Sequence, residues 1–339
     1  MPTVMLTTHC PNTCPWCFAR PKMEEYRARG IREMSWEDFT AVVDFYDRSG
    51  LREMCLLGGE PCLHSRFVDI LHLLDRKKFA VLVGTTGILS KSLVERLVEG
   101  NLQKVAFMLN STSYFNYGNA ERARVDRFLM AMGRRIFLSY TITEQDLRGY
   151  RIEPILDRLA MIMKYNLRRH IQFQIAVPAE GNRQFVPFDR YRDLVELVRG
   201  WFTVLKKNNI HSRLDCHCMP ACAIPDDLRG AGLFSSRCDR FMLDFGPGGY
   251  VWSCFPLSQQ VARLDDFSSL SDLHHHFSRM NAPRVILYDE QCRGCIEKTE
   301  GTCHGGCRGF RHLRENTGDS HPSIAPSFEH CVRRTIPCA

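Results

Sequence analysis

No unbroken apolar run in this chain is long enough to span a bilayer, which argues against a helical membrane protein. The start, MPTVMLTTHC, lacks the basic stretch and apolar core of a secretory signal. Together these absences predict a cytoplasmic protein with no membrane partner. No internal repeat or low-complexity run stands out, and the triplet His274–His276 comes nearest to one. Aromatic-rich nucleic-acid motifs are missing too. The basic residues, among them Arg122, Arg124, Arg127, Arg168 and Arg169, are scattered and form no tail. The net charge of +7 therefore reads as a solvated basic surface, and no nucleic-acid partner is expected.

Cysteine is absent from residue 63 to residue 215, although the chain of 339 residues holds 16. Cys10, Cys14 and Cys17 open the sequence, Cys55 and Cys62 follow, and eleven more lie between 216 and 338. Disulfides are rare in the reducing cytosol. Two dense zones separated by a long gap point instead to metal binding at two places. Cys55 and Cys62 read as small buried hydrophobes.

The first 210 residues alternate between two patterns. Strand-like runs fall at 4–7, 54–57, 80–85, 105–110, 136–142 and 171–177. Helical periodicity fills 67–75, 90–99, 119–132, 152–165 and 191–207. Ser35 caps one more amphipathic stretch, with Trp36, Phe39, Val42, Val43 and Tyr46 on one face. About six β-α units with short connections imply a parallel sheet with right-handed crossovers. The expected fold is α/β, a partial, open (β/α)6 barrel of the TIM type. Past residue 210, Gly, Cys and His become frequent, and DFGPGGYVW reads as a β-hairpin. The expected division is a barrel over 1–210 and a small cysteine-rich α+β domain over 211–339.

The spacing Cys10-x3-Cys14-x2-Cys17 gives three thiolates on one loop. Three cannot complete a tetrahedral metal site alone, but they suit a 4Fe–4S cluster with one iron left open for chemistry. A zinc knuckle completed by His9 is the alternative. The loop follows the first strand, and Gly58-Gly59-Glu60-Pro61 follows the second. In barrels of this kind the chemistry lies at those strand ends.

Taken together, the cysteine triad and the GGEP string resemble the radical S-adenosylmethionine (SAM) superfamily over roughly residues 1–210. The resemblance implies that the methionine amino and carboxylate groups of SAM chelate the open iron. An electron from the reduced cluster then breaks the C5′–S bond, and the 5′-deoxyadenosyl radical removes hydrogen from a substrate. It also implies site roles. Trp16 would pack near the adenine. Gly58 and Gly59 would let backbone come close, and Glu60 would help hold the methionine amino group. Thr85 begins a Thr-Thr-Gly string where relatives carry Thr-Asn-Gly, with Thr86 in place of Asn. Asn110 and Ser139 would contact ribose and carboxylate, or simply cap backbone groups. Ala176 and Val177 would meet the adenine through backbone groups.

The C-terminal spacing, Cys238-x10-Gly249-x4-Cys254, then Cys292-x2-Cys295-x7-Cys303-x3-Cys307, then Cys331, resembles a SPASM domain. Seven residues stand where the family has five between Cys295 and Cys303. The resemblance implies two auxiliary 4Fe–4S clusters. The first would take Cys238, Cys254, Cys307 and one of Cys216, Cys218 and Cys222, with Cys222 preferred. The second would take Cys292, Cys295, Cys303 and Cys331, or Cys338 in place of Cys331. In isolation, the four cysteines from Cys292 to Cys307 would also suit zinc.

The expected protein is thus a radical SAM oxidoreductase that modifies a ribosomally synthesised peptide, its auxiliary clusters carrying electrons. A flavodoxin- or ferredoxin-type donor would reduce it, and, because the chain starts at the first strand, leader binding would need a separate peptide-recognition protein or another surface. Radical chemistry on a small molecule (a sugar, nucleoside or tetrapyrrole-like acid) is the alternative. A non-catalytic zinc or iron–sulfur protein is the third reading. No proton donor or acceptor stands out beyond the ordinary polar residues Asp215, Tyr114 and Arg20.

Overall fold

Short runs rich in Val, Ile, Leu and Phe form the parallel strands β1 (Thr3–Met5), β2 (Glu53–Leu57), β3 (Ala80–Thr85), β4 (Val105–Asn110), β5 (Ile136–Ile142) and β6 (His170–Ile175). A seventh, β7 (His211–Asp215), pairs with β6. The structure is a computed structural model and describes residues 1–177, 182, 184–215, 218–229, 232–236, 243–259, 261–280, 292, 294–307 and 309.

The helices are α1 (Arg20–Ala28), α2 (Trp36–Arg48), α3 (Phe67–Arg76), α4 (Lys91–Glu99), the single turn α5 (Ser111–Tyr114), α6 (Asn119–Met132), α7 (Glu153–Lys164) and α8 (Tyr191–Lys207). Two of them, α2 and α4, start at a capping serine. Ser35 Oγ accepts the Asp38 amide at 3.0 Å and Ser90 Oγ the Leu93 amide at 3.2 Å.

Period-two alternation sorts the sheet faces. In β6, Ile171, Phe173 and Ile175 are buried, and Gln172 and Gln174 are half-buried. The buried set joins Val81, Val83, Phe107, Leu138 and the apolar faces of the helices in one continuous core. Each fully buried Leu, Ile or Phe there contributes about 1.5–3 kcal/mol. The other face carries smaller and more polar residues, including Gly84, Asn110, Ser139 and the two glutamines, and lines the inside of the partial barrel.

Three further strands, β8 (Asp244–Gly246), β9 (Tyr250–Trp252) and β10 (Val261–Arg263), extend the same sheet. The order is β10-β9-β8-β1-β2-β3-β4-β5-β6-β7, so the sheet stays open, as expected of a partial barrel. β8 runs parallel to β1, with Thr3 opposite Asp244, and the predicted hairpin is β8–β9. The hairpin docks through a small second core of Met5, Ala19, Met23, Tyr26, Trp252 and Phe255. The buried Lys22 Nζ donates to Ser258 O at 2.9 Å and lies 5.2 Å from the Trp252 ring. Two further helices are α9 (Leu270–Met280), which carries His274–His276, and the short α10 (Ile296–Thr299). No helix among the described residues is long and apolar enough to cross a membrane.

Candidate active site

β1 and β2 are neighbours, so the loops that leave their C-terminal ends meet. The Gly59 amide donates to Thr7 O and the Glu60 amide to His9 O, each at 2.6 Å. This approach admits only glycine. A Cβ at Gly58 would lie 2.6 Å from Thr7 O, at a φ of +143°, and one at Gly59 would lie 2.0 Å from His9 O. The GGEP string therefore holds the backbone that leads into Cys10.

The cysteine loop is also tied internally. Cys14 O accepts the Cys17 amide at 3.1 Å and Arg20 Nη2 at 2.6 Å, and Arg27 Nη2 reaches Thr8 O. Cys10, Cys14 and Cys17 are free and half-buried, and Trp16 between them is half-buried. Burial pushes the Cys10 thiol up to about 12, against the Asn12 amide, and the nearby Glu60, Cys14 and Cys17 add to the rise. Burial also raises Cys17. Three cysteines gathered on one loop suit a strong cation that displaces their protons.

Glu60 is completely buried. Its Oε1 accepts Thr85 Oγ1 at 2.9 Å and the Cys62 amide at 3.2 Å, and its Oε2 accepts the Thr86 amide and Thr86 Oγ1, both at 2.6 Å. Both hydroxyls in turn accept backbone amides, Gly87 at 3.0 Å and Ile88 at 3.3 Å. A carboxylate offers about four acceptor positions, and these four donors take them. The side chain expected to hold the methionine amino group thus fastens the β2 loop to the end of β3, with Thr85 and Thr86 as its partners.

Polar residues line up across the inner face. Asn110 is opposite Ser139, Ser139 opposite Gln172, and Gln172 opposite Arg213. Asn110 Oδ1 is buried and has no hydrogen-bond partner, an acceptor waiting for a donor. Ser139 Oγ donates to Leu109 O at 3.2 Å. Ala176 donates its amide to Ile142 O at 2.8 Å and accepts the Val186 amide, while Val177 O accepts Asn182 Nδ2 at 2.7 Å.

Among the described residues, no three Cys, His, Asp or Glu side chains converge on a point that one metal ion could fill. An iron–sulfur cluster asks for a wider arrangement, because each thiolate binds its own iron. The glycine cradle, the three adjoining thiols and the orphaned Asn110 oxygen fit such a cluster with an adenosyl ligand beside it.

Residues 4–189, more than half of the chain, match the family profile described as the Radical SAM superfamily. The chain belongs to the radical SAM superfamily. Its cofactors are therefore SAM and a 4Fe–4S cluster.

Among curated radical SAM relatives is a probable GTP 3′,8-cyclase of Pyrococcus abyssi, 24% identical over 186 residues, which are 54% of this chain and 59% of that protein. Another is a PqqA peptide cyclase of Granulibacter bethesdensis, 20% identical over 153 residues, 42% of this chain and 40% of that protein. The chain thus spans less than two thirds of the length of either relative. Among solved structures, Streptococcus suis SuiB bound to S-adenosylmethionine superposes with a TM-score of 0.67 at 14% identity, covering 95% of this chain and 76% of that one. The structure of anSMEcpe with bound AdoMet and Cp18Cys peptide superposes with a TM-score of 0.62 at 17% identity, covering 93% and 90%. At these identities the likeness is one of fold.

Beyond the radical SAM barrel, seven of the C-terminal cysteines are described: Cys218, Cys222, Cys254, Cys292, Cys295, Cys303 and Cys307. All are half-buried. Cys238 and Cys331, with Cys216 and Cys338, lie outside the described residues. Two distant segments meet here. Cys303 Sγ accepts the Ala221 amide at 3.4 Å, and a Cβ on Gly306, at a φ of +91°, would crowd Pro220 Cδ at 3.1 Å. Burial raises the Tyr191 hydroxyl, and Cys307 and Cys218 add to the rise. The fold therefore sets the 218–222 and 303–307 cysteines side by side.

Several residues of the radical SAM site had no motif to announce them. Arg20 clamps Cys14 O rather than facing the barrel interior. Tyr114 donates to Asp126 Oδ1 at 2.6 Å, so its hydroxyl is occupied by α6. Ser113 meets Cys14, with Sγ and Oγ 3.2 Å apart, although 99 residues separate them. Gln172 and Gln174 could have been found from the alternation in HIQFQI, which sets glutamine opposite the apolar face.

Proposed function

We propose that this protein is a SPASM-type radical SAM oxidoreductase that modifies a ribosomally made peptide. What supports the reading most is the extent of the fold likeness. It covers nearly the whole chain, including the cysteine-rich C-terminal segment, in SuiB and in anSMEcpe. Their structures are described with the precursor peptide SuiA and with the Cp18Cys peptide, and a curated relative is a peptide cyclase.

In this reading Cys10, Cys14 and Cys17 hold the SAM-binding cluster. When bound, cluster and SAM supply a carbon-centred radical that takes a hydrogen atom from an unactivated carbon. The chain's own residues bind and orient. Gly58 and Gly59 bring the β2 loop against the cysteine loop, and Glu60 fixes that loop to Thr85 and Thr86. Asn110 Oδ1 accepts a ribose hydroxyl, Trp16 covers the adenine, and Ser139, Ala176 and Val177 complete the rim. Cys238, Cys254, Cys307 and either Cys222 or Cys218 hold one auxiliary cluster. Cys292, Cys295, Cys303 and Cys331 hold the other. A flavodoxin- or ferredoxin-type donor supplies electrons in the cytoplasm, and a separate recognition protein presents the peptide.

Anaerobic reconstitution should yield about twelve irons per chain if three clusters form. About four irons together with bound zinc would refute the auxiliary assignment. Mass spectrometry of a peptide encoded beside the gene, after incubation with reductant and SAM, should show loss of two hydrogens or a new crosslink.

A second reading, radical chemistry on a small molecule, draws on the likeness to a probable GTP 3′,8-cyclase. Turnover of a nucleotide with no change in any peptide would favour it.

A further inference from the structure

α5 is a single turn, yet each of its four residues is anchored in a different direction. Ser111 Oγ donates to Ser139 O at 2.6 Å, and Ser111 O accepts Arg158 Nη2 at 2.8 Å. Thr112 Oγ1 accepts the Thr141 amide at 2.7 Å. Tyr114 reaches Asp126, as described, and Ser113 reaches Cys14. Arg158, itself buried, stacks over the Tyr140 and Phe115 rings with its guanidinium carbon 4.5 and 4.4 Å from their centroids. The turn is thus a rigid platform on the end of β4, and Ser113 is the residue it offers to the cysteine loop.

Ser113 is 5% exposed, and its hydroxyl oxygen lies 3.2 Å from the Cys14 sulfur. An iron-bound cysteine sulfur carries no proton and can only accept. That fixes the direction of the contact: the Ser113 O–H donates and the sulfur accepts. The cysteine loop is tied to the same segment a second time, where Asn12 donates Nδ2–H to the Tyr117 oxygen at 2.6 Å.

We propose that Ser113 is a positioning residue that raises the reduction potential of the SAM-binding cluster by donating to the Cys14 sulfur. The inference rests on the assignment of Cys10, Cys14 and Cys17 to that cluster. Reduction adds one electron from a low-potential donor, the excess charge spreads onto the sulfurs, and no proton is taken up. A donor aimed at sulfur favours the more negative, reduced state. Removing it makes the cluster harder to reduce, and a more forceful reductant once reduced.

The test is a dye-mediated dithionite titration of the anaerobically reconstituted full chain, followed by electron paramagnetic resonance. The signal tracked is the one that changes when SAM is added, which distinguishes this cluster from any other. Ser113→Ala should keep the iron content and move the midpoint to a more negative potential. Ser113→Thr, which keeps the hydroxyl, should hold the wild-type midpoint. A wild-type midpoint in Ser113→Ala with full iron would overturn the proposal, as would Ser113→Thr behaving like alanine. If Ser113→Ala does not load iron, Ser113→Cys, a weaker donor of similar size, decides: a negative shift supports the proposal and an unchanged midpoint overturns it. A wild-type chain with no SAM-perturbed signal would instead overturn the cluster assignment beneath it.

Discussion

Replacing Glu60 with glutamine changes little in shape and removes the acceptor on which the β2–β3 junction depends. The wild-type carboxylate receives two backbone amides, from Cys62 and Thr86, and two hydroxyls, from Thr85 and Thr86. Glutamine keeps one oxygen and turns an NH2 group toward the other pair. Whichever way the amide is flipped, one of the two backbone N–H groups then faces another donor. The threonine hydroxyls have little freedom to compensate, because they already accept from Gly87 and Ile88. The loss is one bond to a charged acceptor, about 1.5–3 kcal/mol, plus an orphaned buried donor, about 1–3 kcal/mol. A total of roughly 3–5 kcal/mol is the size expected for breaking a buried ionic network. Urea unfolding of the anaerobic, cluster-loaded variant beside wild type measures it. A double-mutant cycle with Thr86→Val should be strongly non-additive, since both substitutions break the same network. A Glu60→Gln loss below about 1 kcal/mol, or additive behaviour with Thr86→Val, would refute the claim that this carboxylate holds the junction.

Gly59→Ala should prevent the β2 loop from closing on the cysteine loop, because its Cβ would fall 2.0 Å from His9 O; iron content after reconstitution should drop sharply while far-ultraviolet circular dichroism stays near wild type. Asn110→Ala should weaken SAM binding by about three- to tenfold, the worth of one neutral hydrogen bond, as read by calorimetry on the reconstituted chain. Asp244 is buried where β8 meets β1, and burial raises its carboxyl from 3.8 to about 8, with Thr3 and Trp252 pulling partly the other way. The native state therefore keeps a proton that the unfolded state releases, so stability falls as pH rises from 3.8 toward 8. Asp244→Asn should flatten that decline, and equal slopes of melting temperature against pH in the two proteins would count against it. Cys14→Ala should abolish SAM cleavage by the reduced protein, and product release at the wild-type rate would remove the three-cysteine assignment.

Much of the barrel could be read from hydrophobic pattern because its strands face a core on one side. Val105–Asn110 and Ile136–Ile142 have the ends that the pattern predicts, and Ser35 caps the helix it was expected to cap. β7 was not legible: HSRLD buries only Leu214, as befits an edge strand, so no apolar run marks it. α1 was missed for a related reason, since RPKMEEYRA buries Lys22, Met23 and Tyr26 against a hairpin more than 200 residues away. The glycines of GGEP were expected to permit close backbone approach, and Gly59 shows what they approach, namely the backbone of His9. Glu60 was assigned from the family's pattern, but four local donors occupy its oxygens, and spacing carries no information about donors on another strand. Ser113 left no trace in the sequence, because only the β4 crossover brings it to Cys14.

The pairing of β8 with β1 has a consequence for biosynthesis. Thr3 and Val4 hydrogen-bond on one side to β2 and on the other to Asp244 and Phe245. β1 therefore leaves the ribosome long before β8 and waits for that neighbour while the whole barrel is being made. Long-range parallel pairings of this kind form slowly. In the interval β1 presents an open row of amides and carbonyls, the sort of edge that recruits other chains. The strand that leads into the cysteine loop is thus made well before it can be enclosed. A chaperone, or early arrival of iron, would have its greatest effect in that window, before the hairpin closes over it.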